Sequence, residues 1–422
     1  MSFETISVIG LGYIGLPTAA MFASRKKKVI GVDVNQHAVD TINKGEIHIV
    51  EPDLDMIVHA AVTEGYLKAV TTPEPAEAFL IAVPTPFLPT ENEGDIPAPD
   101  LKYIQAAAQA IAPVLKKGDL VILESTSPVG ATEQMAEWLA QARADLSFPQ
   151  QAGEQSDIRV AHCPERVLPG HVVRELVEND RVIGGMTSLC SEKAIELYKT
   201  FVQGECVTTN ARTAEMTKLT ENSCRDVQIA FANELSIICD KLDINVWELI
   251  SLANRHPRIN ILQPGPGVGG HCIAVDPWFI VSKTPEQAQL IHTARKVNDA
   301  KPEWVINQVK LAVADFLQSN PNKTAIDVTI SCYGLAFKPD IDDLRESPAL
   351  VITQKVAEFH NGSVLAVEPN VQSLPTNLKN IKLVDLENAL ITADIHVLLV
   401  DHQEFRSKTL SLPYLVDTKG VW

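Results

Sequence analysis

The first 33 residues contain the pattern that most restricts the fold. A β-branched run over residues 5–9 predicts a buried strand, and small apolar residues over 16–23 predict a helix. Between them, Gly10, Gly12 and Gly15 form a G-x-G-x-x-G motif. Glycines at such a junction let the backbone turn tightly and approach a pyrophosphate, which the N–H groups at the start of the helix stabilise. The segment therefore predicts the first strand–helix–strand unit of a dinucleotide-binding domain.

The acid that follows the second predicted strand indicates which dinucleotide is bound. Residues 29–32 form that strand, which ends at Asp33, 18 residues after the last glycine of the motif. A carboxylate here can accept hydrogen bonds from ribose hydroxyls and repels a 2′-phosphate, so NAD is favoured over NADP. Polar residues that end later strands are further candidates. The predicted NAD contacts are Gly10, Gly12, Tyr13, Ile14, Gly15, Asp33, Thr85 and Thr126.

Strands and helices alternate in both halves of the chain, with a helical stretch between them. Residues 213–241 contain no proline or glycine and carry apolar residues at helical spacing, which predicts a long helix. A further helix is predicted over 302–317, and a strand over 326–331 opens the second alternating half. The predicted fold is therefore α/β, with two Rossmann-like doubly wound domains joined by a long central helix and a small helical domain. The predicted domains are 1–205, 206–318 and 319–422.

Composition excludes several classes of function. The net charge of the 422 residues is −17, which disfavours binding to nucleic acid or to an anionic membrane. No apolar run is long enough to cross a bilayer. The seven scattered cysteines are typical of reduced thiols in a cytoplasmic protein. The pairs His162-Cys163 and His271-Cys272 lack the spacing of zinc ligands, so no metal site is predicted.

A glycine-rich loop surrounds one of these cysteines. Residues 265–270 contain four glycines, Cys272 follows two positions later, and Asp276 stands four residues beyond the cysteine. Glycine allows a close approach of the backbone to a ligand, and the flanking prolines stiffen the segment. The loop is suited to hold a reactive thiol in one place. A tight turn that carries an inert cysteine is the alternative, and the loop alone leaves both open.

Basic and amide side chains are grouped at two other places. Lys218 and Asn222 are four residues apart on the predicted long helix, and Arg225 lies on nearly the same face. They form either a solvated stripe or the lining of a cleft. In the second half, Lys338 follows the first predicted strand and Arg345 precedes a predicted helix, where both would suit phosphate or carboxylate groups. This half predicts a second, degenerate nucleotide-binding domain.

Taken together, the motifs resemble the UDP-glucose/GDP-mannose dehydrogenase family, the UDP-sugar 6-dehydrogenases, along the whole chain. Within this family, His271 and residues 275–277 resemble the branch that acts on N-acetylated UDP-sugars, since the UDP-glucose branch usually has a serine before the cysteine. The motifs that carry the resemblance are residues 10–15, 83–86, 125–130, 164–170 and 214–222, the cysteine loop, Phe337-Lys338 and residues 345–348.

The resemblance implies a four-electron oxidation with two equivalents of NAD. A C6 hydroxyl becomes an aldehyde, Cys272 adds to it, and a second oxidation gives a thioester that water hydrolyses. Lys218 and Asn222 would stabilise the oxyanions, and either Glu165 or Asp276 would activate the water. The implied substrate contacts are Arg166, Val167, Lys218, Asn222, Arg225, Arg258, His271, Lys338 and Arg345.

The implied substrate is UDP-N-acetyl-D-mannosamine, oxidised for a bacterial surface polysaccharide such as enterobacterial common antigen. Other UDP-N-acetylhexosamines stay open. A homodimer is also implied, with Arg258 reaching across its interface. Glu368 stands where many relatives have aspartate, and it is expected to lie away from the chemistry. Two rival readings are a two-electron dehydrogenase of the hydroxyacid type, which needs no nucleophilic cysteine, and an NAD-binding regulator without turnover.

Overall fold

The computed structural model describes residues 3–90, 92, 94–168, 170–270, 272–375, 378 and 380–422, which form two compact units. The first unit comprises residues 1–221 and the second comprises residues 222–422. The domain boundaries predicted from the sequence stay a prediction. No helix of the described residues has both the length and the apolar character needed to cross a membrane.

The first unit is built on an open sheet with the order β3-β2-β1-β4-β5-β6-β7-β8. Neighbouring strands are parallel, except that β7 runs antiparallel to β6. The strands are β1 (Thr5–Ile9), β2 (Lys28–Val32), β3 (Leu67–Val70), β4 (Ala78–Ile81), β5 (Leu120–Leu123), β6 (Arg159–His162), β7 (Arg181–Gly185) and β8 (Cys206–Asn210).

Helices cover both faces of this sheet. In β4, Leu80 packs into the apolar cluster on one face and Phe79 into the cluster on the other. Burial on both faces is the property that produces continuous apolar strands in a parallel sheet. The helices are α1 (Gly15–Ser24), α2 (Gln36–Asn43), α3 (Leu54–Thr63), α4 (Lys102–Ile111), α5 (Ala131–Ala142), α6 (Pro149–Ala152), α7 (Val172–Glu178) and α8 (Ser188–Tyr198).

The predicted long helix is confirmed as α9 (Ala211–Lys241). Its first turns are tied to the first unit by the buried Glu215, which accepts hydrogen bonds from the N–H groups of Gly130 and Thr132 at 2.6 and 2.7 Å. These donors lie at the start of α5, where a carboxylate also benefits from the positive end of the helix dipole. The helix continues through Lys218 and Asn222 without a break.

The second unit combines helices with a parallel sheet of order β11-β10-β9-β12-β13. Its strands are β9 (Ile330–Tyr333), β10 (Val364–Val367), β11 (Ile381–Leu383), β12 (Ile395–Leu398) and β13 (Leu415–Asp417). Its helices are α10 (Val246–Ala253), α11 (Asp276–Lys283), α12 (Gln289–Ser319), α13 (Pro348–Phe359), α14 (Leu386–Thr392) and α15 (Gln403–Arg406). The predicted fold class, with two Rossmann-like sheets, is confirmed.

Two predicted element starts were wrong. The helix predicted to begin at Pro302 begins at Gln289, because buried bonds from Arg295 and Asn298 to Asp226 hold its first half in place despite the proline. The strand predicted from residue 326 begins at Ile330. Residues before it form a 3₁₀ turn, in which the Asp327 carboxylate accepts from the N–H and hydroxyl of Thr324.

Candidate active site

The glycine-rich turn of the first unit has the geometry of a dinucleotide site. Gly10 has φ +91°, and a Cβ at this position would lie 2.5 Å from the carbonyl oxygen of Ala82, so only glycine fits. Its N–H donates to Val32 O at 2.8 Å, which holds the turn against β2. Gly12 and Tyr13 are exposed, and Ile14 is the N-cap of α1. The outer side of the turn is therefore open to a phosphate at the start of α1.

Asp33 is fixed beside this turn. Its carboxylate accepts hydrogen bonds from the N–H groups of Leu11 at 2.8 Å and of Asn35 at 2.9 Å, and the residue remains partly exposed. One bond goes to the glycine-rich turn itself, so the carboxylate is oriented at the carboxyl end of β2. This is the position from which an acid binds the adenosine ribose.

Two threonines lie at the same edge of the sheet. The Ser125 hydroxyl accepts from Val83 N–H at 2.9 Å and donates to Ile81 O at 3.2 Å, which joins the ends of β4 and β5. Thr85 and Thr126 follow these ends. Within the described part of the chain, the buried Oγ1 of Thr85 has no hydrogen-bond partner. A buried hydroxyl of this kind suits a bound ligand, so the residues present fit NAD.

The reversal of β7 places an arginine at this carboxyl edge. Arg181 opens β7, and its Nη1 lies 2.6 Å from Oε2 of Glu165 in a buried ion pair. The other oxygen of Glu165 accepts from Arg166 N–H at 2.7 Å. The Arg166 side chain pairs with Glu221 of α9 at 2.7 Å, and Val167 is half-buried. Glu165 is therefore a carboxylate held at both oxygens.

A second buried carboxyl lies behind this pair. Glu124 directly follows β5 and accepts a hydrogen bond from the Tyr198 hydroxyl at 2.7 Å. The Arg181 guanidinium lies 5.0 Å from the Tyr198 ring centre. Burial, and next the charge of Glu165, raise the pKa of Glu124 to about 7, although Arg181 opposes the shift. Sequence reasoning missed Arg181 and Glu124. The available signal was a charged residue next to an apolar strand: Glu124 directly after β5, and Arg181 at the start of β7.

Lys218, Asn222 and Arg225, which the sequence places on one long helix, all lie on α9. Lys218 is half-buried, Asn222 is half-buried, and Arg225 is exposed. The Asn222 side-chain amide donates to Oδ2 of Asp276 at 2.5 Å. This bond fixes the orientation of the amide. It brings two of the predicted catalytic residues of the second unit together.

Cys272 lies one turn before the first residue of helix α11, Asp276. Its carbonyl oxygen accepts from the N–H groups of Val275 at 3.0 Å and Asp276 at 2.8 Å, so the cysteine is held one turn ahead of the helix. Cys272 is exposed, whereas Asp276 is buried. A thiol near a helix N-terminus is more easily ionised because the helix dipole favours negative charge there. By contrast, burial raises the pKa of the Cys163 thiol to about 12. His271 lies outside the described residues.

The cysteine loop packs against the segment that connects β9 to α13. A Cβ at Gly269 would lie 2.4 Å from Glu346 O and 3.0 Å from Cβ of Phe337, and one at Gly270 would lie 3.2 Å from the Phe337 ring. The backbone can approach this closely only because both residues are glycines. The structure thus brings the cysteine loop together with the segment that carries the two predicted phosphate ligands.

Those two ligands differ in their present contacts. Lys338 is exposed, whereas the guanidinium of Arg345 makes two bonds to the Asp343 carboxylate, at 2.8 and 2.6 Å. Arg258 lies on an exposed segment after α10. Among the described residues, no group of three His, Cys, Asp or Glu side chains is arranged to bind a metal.

Three consecutive segments match a single family. Residues 4–202 match the NAD binding domain of the UDP-glucose/GDP-mannose dehydrogenase family, 212–300 match its central domain, and 331–422 match its UDP binding domain. The chain belongs to the UDP-glucose/GDP-mannose dehydrogenase family. The resemblance in the motifs is therefore confirmed, as is NAD as the cofactor.

Individual relatives of this dehydrogenase are similar over their full length. It is 68% identical to UDP-N-acetyl-D-mannosamine dehydrogenase of Yersinia pestis, with 100% of each chain covered. It is 65% identical to NDP-N-acetyl-D-galactosaminuronic acid dehydrogenase of Ralstonia nicotianae, over 100% of this chain and 97% of that one. The solved UDP-D-ManNAc dehydrogenase of Pyrococcus horikoshii is 37% identical, with a TM-score of 0.85 over 99% of this chain and 96% of that one.

These matches assign an NAD binding domain to the first unit and a UDP binding domain to the second. The protein is an NAD-dependent oxidoreductase, and the glycine-rich turn with Asp33 belongs to its NAD binding domain. The turn that carries Lys338 and Arg345 belongs to its UDP binding domain. Cys272 belongs to the central domain. Because the protein is an oxidoreductase of this family, the alternative hypothesis of an NAD-binding regulator without turnover is wrong.

Proposed function

We propose that the protein oxidises the C6 hydroxyl of UDP-N-acetyl-D-mannosamine to the carboxylate, for the synthesis of a bacterial surface polysaccharide such as enterobacterial common antigen. The observation that carries this proposal is the setting of Cys272. Cys272 is an exposed residue one turn before α11, in a loop that packs on Phe337 of the UDP binding domain. Relatives named for UDP-N-acetyl-D-mannosamine, such as the one 68% identical, support the substrate.

The covalent role of Cys272 follows from the balance of the reaction. Two molecules of NAD, held in turn by the glycine-rich turn and Asp33, would each supply the acceptor for one hydride. Between the two oxidations, the Cys272 thiolate adds to the aldehyde carbon and gives a thiohemiacetal. Loss of the second hydride leaves a thioester, whose C–S bond breaks when water adds, releasing the carboxylate and restoring the thiolate. A thiolate is required because an alcohol-derived ester would hydrolyse less readily.

The remaining catalytic roles are assigned by chemistry. Lys218 and Asn222 donate to the oxygen that becomes negative at each addition, and the bond from Asn222 to Asp276 holds the amide in one orientation. Asp276 activates the hydrolytic water in this proposal. Both oxygens of Glu165 already accept hydrogen bonds, from Arg181 and from Arg166 N–H, so a water would have to compete for them.

Substrate recognition is assigned to residues that carry charge or line the loops. Lys338 and Arg345 would bind the diphosphate, and Arg345 would exchange its bond to Asp343 for a phosphate oxygen. The other proposed contacts are Arg166, Val167, Lys218, Asn222, Arg225, Arg258 and His271. The relative named for N-acetyl-D-galactosaminuronic acid is 65% identical, so the sugar epimer is the part of the proposal that most needs a direct test.

A homodimer belongs to the same proposal. Phe231 and Ile238 on the second-unit part of α9, and Leu242 directly after its end, are 54%, 43% and 62% exposed. Their spacing of seven and four residues places them on one face of the helix. An apolar stripe of this kind is typical of a surface covered by a partner, and a second copy of the chain, with Arg258 at the interface, is the proposed partner. Light scattering of the wild type and of Phe231→Glu would test it.

The location and domain division are proposed on separate grounds. Cys163, Cys190, Cys239 and Cys332 are buried and form no disulfide, which fits the reducing cytoplasm. The three proposed domains, 1–205, 206–318 and 319–422, agree in order with the NAD binding, central and UDP binding segments.

The decisive experiment is turnover on a panel of UDP-sugars. The purified enzyme is given NAD and the UDP derivatives of N-acetylmannosamine, N-acetylglucosamine, N-acetylgalactosamine and glucose. The expected result is two NADH per sugar, a uronic acid identified by mass spectrometry, and the highest kcat/KM for the mannosamine compound. One NADH per sugar would instead support the two-electron reading, and a preference for another hexosamine would replace the substrate.

A further inference from the structure

Glu368, which sequence reasoning set aside, lies at a structurally important point of the UDP binding domain. It follows β10 directly and is only 4% exposed. Its Oε2 accepts hydrogen bonds from the N–H groups of Leu335 at 2.7 Å and Ala336 at 3.0 Å, the two residues that open the turn after β9 and Gly334. Two consecutive amides that converge on one oxygen form an anion site, which the protein fills with its own carboxylate.

His402 completes this site and extends it to the far end of the turn. Its Nε2 lies 3.0 Å from Oε2 of Glu368, and its Nδ1 accepts from Asp340 N–H at 3.0 Å. Since Nδ1 is an acceptor, Nε2 carries the proton and donates to the carboxylate. The other Glu368 oxygen accepts from Asn370 N–H at 3.1 Å. Burial alone would raise the pKa of Glu368, but the bonds from His402 and Leu335 outweigh it and lower the pKa.

Glu368 and His402 therefore hold both ends of residues 335–340. Glu368 holds the first two amides, and His402 holds the amide of Asp340 at the other end. Between these points lie Phe337, whose ring lies against Gly270 of the cysteine loop, and Lys338, which is exposed. The carboxylate of Asp340 in turn accepts from Gln403 N–H at 2.8 Å, at the start of α15.

We propose that Glu368 and His402 are positioning residues that fix the turn 335–340 in the conformation that binds the UDP diphosphate. The proposal rests on the proposed function for the ligand, a nucleoside diphosphate, and goes beyond it in assigning the device that pre-forms the site. Because the internal carboxylate occupies the amides of Leu335 and Ala336, the proposed site binds the ligand through side chains such as Lys338. Preformed geometry raises affinity because no ordering cost is paid on binding.

The test measures UDP affinity by titration calorimetry, without turnover. Glu368→Ala removes the carboxylate and leaves a small anion site formed by two amides and an imidazole. UDP affinity is expected to fall about tenfold or more, because the turn loses the buried charged acceptor that holds it in the binding conformation. Added formate, a carboxylate small enough for the gap, is expected to restore most of that affinity. NAD affinity of the first unit is expected to stay unchanged.

Two controls separate positioning from stability. Glu358→Ala removes an exposed carboxylate from α13, and neither the substitution nor formate should alter its UDP affinity. Glu368→Asp keeps the charge and should lie between the wild type and Glu368→Ala. If Glu368→Ala does not fold, Glu368→Gln and His402→Gln take its place, and both are expected to bind UDP more weakly than the wild type.

Two results would overturn the proposal. One is wild-type UDP affinity in folded Glu368→Ala, or in both glutamine variants. The other is a loss that formate does not restore while the melting temperature falls in proportion, since that would show a stabilising role alone. A wild type that binds UDP but does not oxidise the sugar would contradict the proposed function and leave this inference standing. A wild type that does not bind UDP would contradict both.

Discussion

In each of the two Rossmann-like units an acid follows one strand, and the two acids contact the neighbouring turn in different ways. Asp33, after β2, takes one amide of its glycine-rich turn, Leu11 N–H at 2.8 Å, and stays partly exposed. Glu368, after β10, takes two amides of the corresponding turn and an imidazole, and it is buried. One extra methylene lets the glutamate reach into its turn, where it occupies the donors that a phosphate would use.

This difference explains why only one half carries the glycine motif. In the first unit the turn must admit a pyrophosphate to its backbone, so Gly12 stays bare and exposed. In the second unit the amides of Leu335 and Ala336 are occupied by Glu368, and both residues are accommodated as buried residues. In the site proposed above, the same type of fold therefore binds one nucleotide through backbone amides and the other through side chains. Charged side chains such as Lys338 then replace the helix N-terminus as the source of positive charge.

The largest effect is expected where the second unit contributes covalent chemistry that the first cannot supply. Cys272→Ala should lower acid formation by on the order of 10³-fold or more, because no thioester can form. The first oxidation does not use the thiol and should survive as a slow or single-turnover event. NADH per sugar and product mass measure both. Two NADH and the uronic acid at a near wild-type rate would make the loop structural.

A matched control for this thiol is available on α9. Cys224 is also exposed and has no assigned role, so Cys224→Ala should keep the wild-type rate. Cys272→Ser should resemble Cys272→Ala, since an alkoxide forms less readily than a thiolate. Equal losses in Cys224→Ala and Cys272→Ala would point to a general effect of removing an exposed thiol.

The next effect concerns the amide and amine on α9. Lys218→Ala and Asn222→Ala should each lower kcat by roughly 10²-fold, the size expected for losing one donor to a developing oxyanion. KM for the sugar should change less. Asp276→Asn would also disturb the 2.5 Å bond that orients Asn222, so its loss should not add fully to that of Asn222→Ala. A wild-type kcat in either alanine variant would show that the substituted residue has no catalytic role and belongs to a solvated stripe.

A third, smaller effect compares the two acids directly. Asp33→Ala should lower kcat/KM for NAD by about tenfold and raise that for NADP, because a carboxylate beside a 2′-phosphate is repulsive. Glu368→Ala should leave the NAD-to-NADP ratio unchanged, since its carboxylate serves the other nucleotide. A shift of the NAD-to-NADP ratio in Glu368→Ala would contradict the assignment of Glu368 to the other nucleotide. Comparable use of NAD and NADP by the wild type would contradict the role of Asp33.

Much of the first unit could be predicted because its signals are local. The strand, glycine turn, helix and Asp33 are all within 33 residues, and the spacing alone indicates the site. The direction of the Glu368 side chain could not be predicted, because it depends on His402 and on two amides more than 30 residues away along the chain. Arg181 was missed for a similar reason, since only the antiparallel pairing of β7 places it beside Glu165.

The start of α12 shows how tertiary contacts override a local rule. Proline normally ends or kinks a helix, and Pro302 predicted a helix start. The observed helix runs through it, because Arg295 and Asn298, two turns and one turn earlier, are bonded to the buried Asp226 of α9. Sequence periodicity predicted both helices separately. It could not show that a buried ion pair between them would outweigh the missing hydrogen bond.

Buried charges in the two units should also give opposite responses of stability to pH. In the first unit, burial raises the pKa of Glu124 from 4.5 to about 7. Between these values the folded state holds a proton that the unfolded state has lost, so stability falls as pH rises from about 5 to 7. Glu124→Gln keeps an acceptor for Tyr198 and removes this slope. Guanidinium unfolding at pH 5.5 and 7.5 should show the variant gaining on the wild type at the higher pH.

In the second unit the sign reverses at Lys301. Burial lowers its pKa from 10.5 to about 7, against the charge of Asp240, and its amine donates to Ser236 at 2.5 Å and lies 3.6 Å from the centre of the Trp304 ring. From pH 7 upward the unfolded state holds the extra proton, so stability rises with pH at no more than about 1.4 kcal/mol per unit. Lys301→Met should remove that rise, measured by guanidinium unfolding followed by intrinsic tryptophan fluorescence between pH 7 and 9. An unchanged slope would show that Lys301 stays charged in the fold, stabilised by Asp240 and the indole ring.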